Sequence, residues 1–215
     1  MTEPIFLAID TSTAQISIAI SQGKKVLASE TRIDALRHAE LGSVMIQAAL
    51  KQASLTPKDI DIYLCGIGPG PFTGLRVGII SAKIMAMVNQ KPLFGICSHD
   101  AIAYLQPKST FTVITDARRK EVYATEYQGN KRVSTPLVKK REDIKSQQVI
   151  EGVFPLAEDL IRQAQFALAN NEKLQVENFL LDEAENDGAK VKLPTDILLP
   201  AIPLYLRIPD AKPKA

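Results

Sequence analysis

The segment Gly66-Ile67-Gly68-Pro69-Gly70-Pro71-Phe72-Thr73-Gly74-Leu75-Arg76-Val77-Gly78 holds five of the chain's eleven glycines, between a short apolar run and a longer helical pattern. Glycine tolerates positive φ and lets one backbone approach another with no Cβ in the way. Such a loop has two uses. It turns backbone amides toward an anion at a helix N-terminus, where the peptide dipoles favour negative charge, or it lets a strand and a helix pack closely. The spacing lacks the Gly-Lys-Ser/Thr ending of a P-loop, and the dinucleotide pattern with its later acidic residue is missing. Both generic nucleotide motifs are therefore set aside.

Around this loop the apolar period changes repeatedly. Ile5 to Ile9 reads as a buried strand closed by the turn-forming side chains Asp10-Thr11-Ser12-Thr13. Ile16, Ile18 and Ile20 alternate along Gln15 to Ile20, Gln22-Gly23-Lys24 supplies a turn, and Val26 to Arg32 returns as a third strand. This predicts an antiparallel meander. From His38 to Ala53, Leu41, Val44, Met45 and Ala48 recur at helical spacing until Leu55-Thr56-Pro57 closes the pattern. Ile60 to Ile67 and Leu93 to Cys97 are further strands, separated by the glycine loop and a helix from Leu75 to Asn89. The alternation predicts an α/β fold: a mixed sheet with crossover helices.

A hairpin of Phe111 to Asp116 and Glu121 to Tyr127, turning at Ala117-Arg118-Arg119-Lys120, opens a second and smaller unit. The expected boundary divides the chain into residues 1–106, carrying the glycine loop, and 107–215. Leu156 to Leu168 has a helical pattern, Asp182 to Gly188 is acidic and weakly structured, and Asp182 to Thr195 receives no role.

A chain of 215 residues, 46% of them hydrophobic, can bury a proper core without staples. Cys65 and Cys97 end apolar runs without metal-ligand spacing, as buried thiols of a reducing compartment do. The N-terminus reaches a strand at once, and no stretch approaches 18 uncharged apolar residues, so a cytoplasmic protein without membrane contact is expected. The net charge of +2 gives too weak a field to imply nucleic-acid binding, but Arg118 to Lys145 carries a local basic surplus. Within it, Arg118, Arg119 and Lys120 are candidate contacts to nucleic-acid phosphates, against the ordinary reading of a solvated surface.

Five separated places resemble one family: Ile9-Asp10-Thr11-Ser12-Thr13; Arg37-His38-Ala39-Glu40; Gly68 to Gly78 with Ala82-Lys83; Thr115-Asp116-Ala117-Arg118-Arg119-Lys120-Glu121-Val122-Tyr123; and Pro203-Leu204-Tyr205-Leu206-Arg207-Ile208-Pro209-Asp210-Ala211. The family is TsaB, also called YeaZ. The resemblance implies an actin/sugar-kinase-like (ASKHA) fold of two related subdomains, the second reduced. It also implies a role in forming threonylcarbamoyladenosine at position 37 of tRNAs that read ANN codons.

The implied partners are a TsaD-type catalytic subunit, a TsaE-type ATPase, tRNA through the complex, and a second copy of the chain when it is alone. ATP is used by the complex, and no cofactor is expected on this chain. Docking is expected on the helix His38 to Ala53 through Leu41, Val44, Met45 and Ala48. It extends to the helix after Gly74, where the small residues Gly78, Ser81, Ala82 and Ala86 permit close approach.

The chain departs from the catalytic relative where a metal-binding histidine pair is expected. Here the sequence reads Ile96-Cys97-Ser98-His99-Asp100-Ala101-Ile102, and His38 and His99 are its two histidines, so no metal centre is expected. Ser98 to Asp100 reads as helix-capping chemistry. Asp10, Thr11, Ser12, Gly68, Gly70 and Asp116 form a candidate vestigial nucleotide site, the basis of an alternative reading as an ATP-dependent phosphotransferase. A peptidase reading finds neither a histidine-paired nucleophile nor metal ligands.

Overall fold

The computed structural model describes residues 3–34, 37–106, 109–169 and 199–206. The meander consists of β1 (Ile5–Asp10), β2 (Gln15–Gln22) and β3 (Lys25–Ile33), paired antiparallel in sequence order. After α1 (His38–Gln52), β4 (Ile62–Gly66) joins the far side of β1 in parallel. The crossover α2 (Phe72–Asn89) then leads to β5 (Leu93–Ile96), parallel to β4. The order β3-β2-β1-β4-β5 is the mixed sheet expected of the actin/sugar-kinase architecture.

A short α3 (Ser98–Tyr104) leads to the second sheet. It is built on the hairpin of β6 (Thr110–Asp116) and β7 (Glu121–Gln128), with β8 (Lys131–Arg132) and β9 (Leu137–Lys140) both pairing β7 and β10 (Val149–Ile150) pairing β6. The chain then enters α4 (Ala157–Ala169).

Side chains alternate across a strand, and β1 shows the consequence. Leu7 and Ile9, with Ile16, Ile18 and Ile20, meet Met45, Ile46, Ala49 and Leu50 of α1 and Leu75, Ile79 and Ala82 of α2. Phe6 and Ala8, with Ala19 and Leu64, meet Ala157, Leu160, Ile161 and Ala164 of α4. Each fully buried Leu or Ile contributes about 1.5–3 kcal/mol, so a strand filled on both faces is the centre of the molecule.

The second sheet begins where the hairpin was expected, but the chain does not divide cleanly at residue 106. α4 lies on the first sheet, and Leu199 bridges Gly95 at the β5 edge. The reason is apolar area: α1 and α2 cover one face of the first sheet, and the face carrying Phe6, Ala8 and Leu64 needs a layer of its own. The acidic stretch Asp182 to Thr195 and the resemblance residues Arg207 to Ala211 lie outside the described residues.

α2 starts at Phe72, earlier than the expected Leu75, because its first turn carries glycine where a helical apolar pattern would show. The loop before it is pressed onto the β1–β2 turn. A Cβ on Gly70 would overlap the Ser12 carbonyl oxygen, one on Gly74 would stand 2.5 Å from the Thr11 carbonyl oxygen, and one on Gly78 would strike the Thr11 hydroxyl. That hydroxyl donates to the Gly74 carbonyl at 2.7 Å and accepts from the Gly78 N–H at 3.0 Å, fastening the first turns of α2 to the end of β1. Because the obstacle at Gly74 is main chain, Gly74→Ala must displace the helix start. The expected cost is about 1–3 kcal/mol, read as a lowered urea midpoint with unchanged slope; an unaltered midpoint contradicts the close packing.

Candidate functional site

A cleft of about 590 Å³ opens between the two sheets. The first-sheet wall is Thr13 and Ala14, the start of α1 at His38 and Ala39, and the loop Gly70 to Gly74. The opposite wall is the β6–β7 hairpin with Asp116, Arg118 and Tyr123, and the loop Glu151 to Phe154 closes one side. Phe72 and Tyr205 form an aromatic corner with ring centres 4.6 Å apart. Arg76 stacks over Phe72 at 4.3 Å and donates from Nε to the Tyr205 hydroxyl at 3.0 Å.

Gly70 and Asp116 of the expected nucleotide residues line this cleft; Asp10, Thr11, Ser12 and Gly68 do not. Asp10 is wholly buried, and both its carboxylate oxygens are engaged: Oδ1 accepts the Ser12 N–H and hydroxyl at 2.8 Å each, and Oδ2 accepts the Ser98 hydroxyl at 2.7 Å. Burial raises its pKa, against the pull of these hydrogen bonds. In this arrangement the carboxylate is closed off from the cleft, and Gly70 and Gly74 lie against the turn that follows it. The glycine loop therefore serves close packing rather than an exposed anion cradle.

Ser98, His99 and Asp100 do not act as helix caps, and the start of α3 has no side-chain cap hydrogen bond. Their side chains reach away from the helix end and join the two sheets. His99 is fully buried, with Nδ1 2.7 Å from the Thr125 hydroxyl and Nε2 2.8 Å from the Thr115 hydroxyl. Asp100 accepts from Arg132 at 2.9 Å and from the Tyr127 hydroxyl at 2.6 Å, while Gln163 of α4 donates to its carbonyl at 2.9 Å. Burial pushes the Asp100 carboxyl up, and Arg132 and Tyr127 pull it back in part. Arg132, counted within the basic surplus, is thus an internal residue. Nothing in its sequence neighbourhood distinguishes it from the exposed Lys131.

The docking residues expected from the sequence separate into two sets. Met45 is a core residue on the face of α1 that covers the sheet, and Gly78, Ala82 and Ala86 are buried beneath α2 against the same sheet. Those four do not form an outward face. Val44 and Ala48 do face outward, Leu41 and Ser81 are half-buried, and α2 adds residues that the sequence reading did not select: Ile80 and Ile84, half exposed, with Met87 and Val88 more than 70% exposed. They stand at i, i+4, i+7 and i+8, the spacing of one helix stripe. That spacing was available in the sequence, but the small residues of the opposite face drew the attention.

Arg118, Arg119 and Lys120 are exposed at the tip of the β6–β7 hairpin and hold consecutive positive φ values of 61°, 55° and 64°. The Asp116 carboxylate accepts the Arg118 N–H at 2.8 Å, steadying the turn. Cys65 and Cys97 are free and buried, and burial pushes both thiols up to about 12, so neither is a ready nucleophile. Among the described residues no group of three or more His, Cys, Asp or Glu side chains is placed to hold a metal ion.

This pair of sheets is shared with known proteins. The family model described as TsaD: tRNA N6-adenosine threonylcarbamoyltransferase matches residues 25–177. An uncharacterized protein of Mycobacterium tuberculosis is 37% identical over 211 residues, covering 97% of this chain and 94% of its own length. The tRNA N6-adenosine threonylcarbamoyltransferase of Onion yellows phytoplasma is 36% identical over 42% of this chain and 46% of that protein. Among solved structures, YeaZ from Pseudomonas aeruginosa superposes with a TM-score of 0.69 at 24% identity, over 79% of this chain and 94% of that one. An uncharacterized protein described as similar to peptidase YeaZ from Pseudomonas aeruginosa gives 0.71 at 22% identity, over 95% of this chain and all of its own. The chain belongs to the TsaD, or tRNA N6-adenosine threonylcarbamoyltransferase, family, and within it has the YeaZ type of fold. Its field of action is tRNA threonylcarbamoyladenosine modification.

The inter-sheet network gives a pH signature. Burial lowers the His99 pKa from its ordinary 6.5 to about 3, with the Arg132 charge adding to the effect. Below pH 6.5 the unfolded chain binds a proton at this residue that the folded chain refuses, so stability falls with pH between 6.5 and about 3. The Asp10 and Asp100 carboxyls, raised above the ordinary 3.8 by burial, act in the opposite sense above that value. The expected contribution of His99 is about 1.4 kcal/mol per pH unit, measured as urea midpoints from pH 7 to 4.5. His99→Gln should flatten that slope, and an equally steep decline in the variant rules the imidazole out as its source.

Proposed function

We propose that the chain is a non-catalytic partner subunit of the system that transfers a threonylcarbamoyl group to adenosine 37 of tRNAs reading ANN codons. In this reading it works in the cytoplasm by heterodimerising with a TsaD-type catalytic subunit through α2 and the adjoining part of α1. A TsaE-type ATPase and tRNA join through the complex, which uses ATP, and the same surface pairs two copies of this chain when the partner is absent.

One observation carries the proposal. α2 is long and apolar enough by length and composition to cross a membrane, yet its inner face is committed to the sheet and its outer face carries Ile80, Ile84, Met87 and Val88. A helix apolar on both sides is normally covered on both sides. Val44 on α1 is 60% exposed as well, and exposed apolar surface of this kind marks a protein interface. The non-catalytic part of the reading is supported by the engaged carboxylate of Asp10 and by the histidines: His38 bonds a backbone carbonyl and His99 two threonines. The competing phosphotransferase reading needs Asp10 open to a metal and nucleotide, and the geometry around it speaks against that. The exposed basic hairpin tip is the candidate tRNA contact within the complex.

Ile84→Glu places a charge on the outer stripe, at a half-exposed position outside the core clusters. It should abolish association with the TsaD-type subunit, followed by light scattering after gel filtration, while the thermal midpoint stays within a degree or two of the parent. Met45→Glu is the contrasting case and should unfold the chain. The deciding experiment is reconstitution with a TsaD-type subunit, a TsaE-type ATPase, threonine, bicarbonate, ATP and tRNA, with and without this chain. Modification that proceeds equally well in its absence, or that this chain performs alone, removes the proposal.

A further inference from the structure

The turn at the tip of the β6–β7 hairpin is made of residues that resist its conformation. The Glu121 N–H donates to the Arg118 carbonyl at 3.0 Å, which makes Arg119 and Lys120 the two central residues, and the Ala117 N–H donates to the Glu121 carbonyl at 3.0 Å. Both central residues have positive φ, 55° and 64°, and Arg118 before them has φ 61°. Two-residue hairpin turns of this hand favour Asn-Gly or Asp-Gly, because a Cβ is crowded at positive φ. A long cationic side chain does nothing to ease that crowding.

Elsewhere in the described chain the same conformation is used sparingly. Ser54 and Gln90 are the other non-glycine residues with positive φ, and each follows the end of a helix, where one left-handed residue is ordinary. Three in succession without glycine or asparagine is strain of the kind that gathers at functional positions. The Asp116 carboxylate accepts the Arg118 N–H at 2.8 Å and so holds the first of the three in place.

Much of the basic stretch around the tip is matched by carboxylates of this chain. Arg132 is internal beside Asp100 at 2.9 Å, while Lys139 faces Glu126 at 3.7 Å, Lys140 faces Glu142 at 3.6 Å and Arg141 faces Glu151 at 2.8 Å. The tip adds three cations exposed on consecutive residues.

We propose that the strained turn is a reader of RNA phosphates, in which two guanidinium groups and one ammonium group are held ready for the sugar-phosphate backbone at the expense of the hairpin's own stability. The inference rests on the function proposed above and adds to it a trade between binding and stability at one turn. The guanidinium fork matches the oxygens of a phosphate group, and the family acts on tRNA. The tip belongs to the second sheet, whereas α1 and α2 cover the first, so these cations stand on a different element from the outer stripe of α2.

The test is the double substitution Arg119→Asn with Lys120→Gly, which supplies the residues the turn favours and removes two cations. The thermal midpoint should rise by about 2 °C or more. A labelled tRNA transcript is then titrated, by fluorescence anisotropy between about 50 and 200 mM KCl, with the full chain joined to a TsaD-type subunit. The slope of log affinity against log salt should become shallower by about 1.5, the share of two phosphates. Association with the TsaD-type subunit, followed by gel filtration, should match the parent. If that complex does not form with the parent chain, the function proposed above falls, and the full chain alone is titrated with the same transcript under the same criteria. The inference is overturned by an unraised midpoint or an unchanged salt slope. It is also overturned by lost association with the protein subunit, which reassigns the tip to an acidic protein surface, or by ATP binding that the substitution weakens equally, which reassigns it to a free nucleotide.

Discussion

The contact between the glycine loop and the β1–β2 turn sets the rest of the structure. Gly70 and Gly74 meet main-chain oxygens of Ser12 and Thr11 at distances that exclude any side chain, and the Thr11 hydroxyl ties both Gly74 and Gly78 to β1. This fixes where α2 begins and how it crosses the sheet, and so which of its faces looks outward. The same contact removes the exposed phosphate cradle that a looser loop would leave. A motif that resembles a nucleotide loop in composition is thus turned into a structural joint.

α3 forms the second joint. With His99 between two threonines and Asp100 between Arg132 and Tyr127, the linker between the sheets is fastened to the second one, and Gln163 ties it to α4, which belongs to the first. A buried ion pair seldom adds much net stability over an apolar equivalent, but removing one partner leaves a charge stranded. Its value lies in fixing a single arrangement.

The outer stripe of α2 stands apart from both joints. Ile80, Ile84, Met87 and Val88 lie outside the inner core cluster and leave apolar area exposed. Membership of a tRNA-modification family, a helix apolar on both sides and an occupied Asp10 point the same way. In the proposed function the chemistry of the reaction resides on another chain, and this one offers it a surface.

Much of the architecture could be read in the sequence because it is written in local periods. The two-residue alternation of Ile16, Ile18 and Ile20, the helical spacing in α1 and α4, and the glycine crowding between β4 and α2 each reflect a few neighbouring residues. The family could also be read there, since its motifs fall at turns and helix starts where residue choice is narrow. What the sequence could not decide were relations between distant residues. Whether Met45 or Val44 faces the sheet depends on the rotation of a helix by a fraction of a turn, and Arg132 becomes internal because Asp100 of α3 arrives above it. α4 serves the first sheet because that sheet has a bare apolar face, and Asp10 loses its freedom to Ser98, far along the chain. Local propensity is a short-range property, whereas burial and pairing are set by whichever surfaces the whole chain brings together.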